Sequence, residues 1–160
     1  MRTAPTAYKK NGTVKTDWRF VIGIDPGTHT GFAVYSVERR SFNDLLTLTF
    51  WEAFDKVLEY PPESTKVIIE VPSTNTVWQA MPKTGIRPIQ RQAVNVGRVI
   101  REAELLAEGI FSRGYLVIKS NPIGKADKRR FQRITGFMGR LNQHQRDAGM
   151  LCWGGRPTSF

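Results

Sequence analysis

The sequence predicts an α/β domain. Apolar periods of two and of 3.6 alternate along the chain, and three strand-like runs precede the first long helical period. A length of 160 residues suits one domain with one substantial core. No internal repeat interrupts the pattern.

The first strand is expected at 19–25, where Val21, Ile22 and Ile24 form a buried run that ends on Asp25. Gly27 and Gly31 let a second strand, 31–37, return beside it, and a third at 45–51 extends the antiparallel start. A short helix at 53–60 stops at Pro61 and Pro62. The fourth strand, 66–71, holds the run KVIIEV. A long Pro-rich loop over 72–88 carries Trp78, Met81, Lys83 and Arg87. A helix at 89–113 is closed by Gly114, and a fifth strand follows at 115–120. After Pro122 the segment ADKRRFQRITGF predicts a basic helix, and 143–153 forms the last one. Residues 1–18 read as a flexible basic arm ahead of a domain at 19–160. They contain no apolar stretch of the kind a secretory signal needs, and a mitochondrial presequence is the weaker alternative.

Acidic residues interrupt this apolar frame at informative places. Asp25 closes a buried strand against a glycine turn, and Glu70 stands in KVIIEVP where an apolar side chain is expected. Charges removed from water must be paired or coordinated, and two carboxylates brought together repel unless a cation or a proton lies between them. In NQHQRDAGMLCW, His144 and Asp147 are three apart and share a helix face. Each has a plainer alternative. Asp before Pro-Gly also forms turns, and His144 with Asp147 also suits a solvated helical face. His29 reads as a polar loop residue beside the site rather than a ligand.

Taken in order, a strand Asp in GIDPGT, a Glu ending a later strand in an IIE run and a near-C-terminal helical H-x-x-D-A resemble the RuvC family of Holliday junction resolvases, in the ribonuclease H-like superfamily. The resemblance runs from about residue 20 to 153. It implies a five-stranded mixed sheet flanked by helices, and a metal-dependent endodeoxyribonuclease that resolves four-way DNA junctions by paired nicks in recombination and repair. It implies two divalent ions, Mg2+ or Mn2+, roughly 3.5–4 Å apart, with Asp25 bridging them, Glu70 and Asp147 each holding one, and His144 as ligand or proton carrier. Lys119 and Lys128 resemble lysines placed beside the scissile phosphate. Trp78 and Met81 resemble apolar residues that open the junction centre, although Trp78 equally suits a core anchor. Lys83 and Arg87 of the same loop, with Arg129, Arg130 and Arg133, are expected at nucleic acid, and Arg140 and Arg146 at backbone phosphates. The small-residue stripe Ala93, Val96, Gly97, Ile100, Ala103, Leu106 and Ala107 corresponds to a homodimer helix in that family, and equally suits packing on its own sheet.

Composition points the same way. Lys and Arg number 24 against 14 acids, a net charge of +10 and a pI of about 10.2, which suits a polyanionic partner. The single Cys152 excludes an intramolecular disulfide and a multi-cysteine zinc site, and fits a reducing compartment such as the cytoplasm of a bacterial or phage-infected cell. No run is long enough to cross a membrane. The alternatives are a less selective branched-DNA or RNA nuclease of the same superfamily, and a nucleic-acid-binding protein without nuclease activity. A two-lobed actin-like ATPase, which shares the GID-x-GT motif, needs more chain than this.

Overall fold

A computed structural model describes residues 18–72 and 86–155, with the backbone alone over 86–92. The expected arm, apart from Trp18, and Trp78, Met81 and Lys83 lie outside the described residues, as does the side chain of Arg87. Five strands form one mixed sheet in the order β3-β2-β1-β4-β5. They are β1 (Phe20–Asp25), β2 (Thr30–Ser36), β3 (Ser41–Leu48), β4 (Thr65–Glu70) and β5 (Leu116–Ser120). The first three pair antiparallel, whereas β4 and β5 run parallel to β1, so the C-terminal ends of β1, β4 and β5 lie side by side. This is the five-stranded α/β arrangement that the sequence predicts.

Helices cover both faces. On one, α1 (Phe50–Leu58) and α2 (Ile86–Ser112) cover Ile22, Ile24, Phe32, Val34, Val67 and Ile69. On the other, α4 (Gln143–Cys152) lays Ala148, Leu151 and Cys152 against Val21, Ala33, Tyr35, Ile68 and Ile118, with Trp18 packed at the margin. The short α3 (Lys128–Thr135) buries Phe131 beside Met150 of α4. Among the described residues, no helix is long and apolar enough to cross a membrane.

Boundaries depart from expectation where capping decides them. The third strand spans Ser41–Leu48 rather than 45–51, and α1 begins at Phe50 rather than 53. Thr49 and Glu52 form a capping box: the Thr49 hydroxyl accepts from the Glu52 amide at 3.4 Å, and the Thr49 amide donates to Glu52 Oε2 at 2.7 Å. Satisfying the helix's free amides there ends the strand at Leu48 and carries Trp51 onto the helix surface, 70% exposed. The long helix starts three residues earlier than expected. Pro88 is tolerated because an amide in the first helical turn has no intrahelical acceptor.

Two glycines set the height of α4. A Cβ on Gly23 would collide with the Ala148 carbonyl, and one on Gly31 with the His144 carbonyl. Gly31 therefore serves the close approach of a helix backbone to the sheet rather than the turn before it. Positive φ occurs at other glycines, including Gly136, which stops α3 at φ 71°.

Candidate functional site

Strand alternation puts Asp25 and Glu70 on the α4 face of the sheet. On β1, Ile22 and Ile24 point to α1 and α2, while Val21 and Gly23 point to α4, so Asp25 follows them. On β4, Ile69 faces α2 and Ile68 faces α4, so Glu70 lies on the α4 side. The two strands are parallel neighbours with Ile24 opposite Ile69, which makes Asp25 and Glu70 adjacent at the sheet's C-terminal edge. Helix α4 supplies the third acid. Asn142 caps it, its side chain accepting from the Gln145 amide at 3.0 Å, and the first two turns place His144 and Asp147 over the strand ends. Asp25, Glu70, His144 and Asp147 line one cleft with Pro26, Pro122, Gly124 and Lys125.

The cleft is electrostatically loaded. Asp25, its side chain 17% exposed, is pushed up to about 7 by burial and by the charge of Asp147, with Lys125 opposing. Glu70 is also pushed up to about 7, chiefly by burial and then by Asp25, although the Ile123 backbone amide donates to its carboxylate and pulls the other way. His144 Nδ1 lies 3.6 Å from Asp25 Oδ2, too long for a hydrogen bond but close enough for an ion pair when the ring is protonated. His29, exposed, sits beside it with ring centroids 6.1 Å apart.

The donor set fits a hard divalent cation. Three carboxylates line one cleft, and two of them, Asp25 and Glu70, resist ionisation through burial first and then through the charge of neighbouring acids, with Lys125 opposing. Among the described residues, no three acidic, His or Cys groups close into a ready-made cage. The acids share a cleft, and a cation would draw its oxygen ligands from Asp25, Glu70 and Asp147.

The lysines are rearranged relative to expectation. Lys119 pairs in register with Ile69, so it shares that residue's α2 face, is exposed and does not line the cleft. Lys128 opens α3 and is exposed outside the cleft lining. Among the described residues, the cation that lines the cleft is Lys125, which sequence reasoning missed. Arg129, Arg130 and Arg133 stand exposed on α3, and among the described residues no ion pair engages them. Arg146, expected at phosphate, is turned inward. Its guanidinium donates to the carbonyls of Ala126 and Leu141 and to Gln143 Oε1, at 3.0, 2.6 and 2.8 Å.

No protein-family model matches the chain, and no curated protein matches it. Among solved structures, the chain is similar to the large terminase nuclease from thermophilic phage G20c. The identity is 17% over 90% of this chain and 89% of that one, with a TM-score of 0.33.

Proposed function

We propose that the chain is a metal-dependent nuclease that cuts branched DNA, with a RuvC-like four-way junction as its substrate. The observation that carries this reading is the convergence of Asp25, Glu70 and Asp147, from β1, β4 and α4, on one cleft at the C-terminal edge of parallel strands. Those three acids would hold Mg2+ or Mn2+. Such ions, one or two in number, supply Lewis acidity towards a phosphodiester and a water of lowered pKa.

The chain's own groups do the rest. Asp25 and Glu70 stay near their neutral-to-charged transition at neutral pH until a cation is present. His144, 44% exposed at the mouth of the cleft with Nδ1 3.6 Å from Asp25 Oδ2, would serve as a further ligand or as a proton carrier. Lys125 puts positive charge where a phosphate oxygen would enter. The arginines of α3 flank this entrance in sequence and would grip the backbone without reading sequence, a salt-dependent contribution.

Homodimerisation belongs to the same proposal. The small-residue stripe of α2 divides in two: Ala103, Leu106 and Ala107 are buried in the protein's own core, whereas Ala93 and Gly97 are exposed beside Val94, at 63%. A second copy would cover that N-terminal half. Two sites related by a two-fold axis would then reach two strands of one junction.

The test is cleavage of a synthetic four-way junction and a matched linear duplex in Mg2+ or Mn2+, with nicks mapped for wild type and Asp25→Asn. Paired, symmetric junction nicks lost in the variant are expected. Equal cutting of junction and duplex would replace the junction substrate with a less selective one. Tight binding without cutting by the wild type would overturn the nuclease.

A further inference from the structure

The network around Asp147 fixes more than a helix end. Gln143 lies one turn before Asp147 on α4, and its Nε2 donates to Asp147 Oδ1 at 2.6 Å and to the Ala126 carbonyl at 3.1 Å. Its Oε1 accepts from Arg146 Nη2 at 2.8 Å. Chemistry leaves the amide one orientation: a guanidinium only donates, and a carboxylate and a carbonyl only accept, so a flipped amide would lose all three bonds. Arg146 also donates through Nε to the Ala126 carbonyl at 3.0 Å. Ala126, buried, therefore receives two donors from α4, and its segment of chain is pinned to that helix.

That segment reaches the other side of the cleft. Three residues before Ala126, the Ile123 amide donates to Glu70, and Lys125, immediately before Ala126, lines the cleft. One short stretch, 122–126, thus touches Glu70 at one end and is tied through Gln143 and Arg146 to Asp147 at the other. We infer that Gln143 and Arg146 are positioning residues for the cation site: Gln143 occupies Asp147 Oδ1, which leaves Oδ2 as the oxygen offered to the cleft, and Arg146 locks Gln143 in that pose. The inference rests on the proposed metal site and adds to it a bonding mode, with Asp147 a ligand through one oxygen. Outer-shell partners of metal ligands act in this way, holding a carboxylate so that binding does not have to order it.

The test compares wild type, Gln143→Leu, Arg146→Lys and Asp147→Asn. Mn2+ binding is measured by titration calorimetry, and thermal melting is measured in chelator. Gln143→Leu keeps the side chain's bulk and removes its three hydrogen bonds. Arg146→Lys keeps the charge and removes the fork that reaches three acceptors. The expected result is a Mn2+ dissociation constant raised about 10- to 100-fold in Gln143→Leu and by a smaller factor in Arg146→Lys. Cleavage should need correspondingly more Mn2+ to reach half its maximal rate, with that maximum largely kept. Should Gln143→Leu not fold, Arg146→Lys alone decides. The inference is overturned if the folded variants bind Mn2+ as wild type does while Asp147→Asn binds it weakly, whatever their melting temperatures. If Asp147→Asn also binds as wild type does, the cation site itself is overturned, and the inference with it.

Discussion

On the α1–α2 face the central strands present Ile22, Ile24, Phe32, Val34, Val67 and Ile69, all fully buried; on the α4 face the same strands present Val21, Gly23, Gly31, Ala33, Ile68 and, at their ends, Asp25 and Glu70. The first face is filled by bulk, which excludes water and stabilises the fold through burial. The second gives up side-chain volume so that a helix backbone can rest on the strands, and it ends in charges that resist burial. Strand parity thus sets the bulkiest core apart from the proposed site: adjacent residues of one strand, Ile24 and Asp25, point to opposite faces.

The largest expected effect comes from the bulky face. Ile24→Ala should lower unfolding free energy by about 2–5 kcal/mol in urea denaturation, through lost burial and the cavity left behind, with Mn2+ affinity of the folded fraction unchanged. On the opposite face, Gly31→Ala should cost about 3 kcal/mol, because the new Cβ meets a carbonyl of the helix backbone that has little room to yield. Its signature is different. Lifting α4 moves His144 and Asp147, so Mn2+ affinity should fall together with stability. A Gly31→Ala protein that binds Mn2+ normally would erase the distinction between the faces.

Asp25→Asn should act in the unusual direction. A carboxyl held near 7 when folded and near 4 when unfolded keeps its proton longer in the folded state. Its stabilising contribution is therefore complete at low pH and is lost as pH rises through about 7. Removing the charge should stabilise the metal-free protein at pH 8 by on the order of 1 kcal/mol. The gain should vanish at pH 4, as melts at the two pH values would show. The smallest effect is expected away from both faces: Met138→Ser, at a residue 77% exposed, should change stability by no more than about 0.5 kcal/mol.

Much of this division is legible in the sequence, because apolar alternation and acids inside apolar runs are local signals. Val21 to Asp25 and Val67 to Glu70 can be read without knowing what packs on them. The Thr49–Glu52 capping box is local too, and overrides the strand-like character of the residues before Trp51. What is not legible depends on register and distance. Lys119 shares a face with Ile69 rather than Glu70 only through the pairing of β5 on β4. Lys125 reaches the cleft through the path of the loop after β5, and Arg146 turns inward because the fold carries two carbonyls to it. Of the missed contacts, Gln143 to Asp147 had a sequence signal, a Gln and an Asp four apart on one helix.

In the proposed function the acids of the α4 face form a cation site whose carboxyls resist ionisation first through burial and then through mutual repulsion. Calorimetric titration of Mn2+ near pH 6.5, in two buffers of different ionisation enthalpy, tests it by counting protons. Saturable binding that releases protons from Asp25 and Glu70, both held near 7 without metal, is expected, with the release reduced in Asp25→Asn. Binding with no proton release, or no binding in wild type, would contradict it.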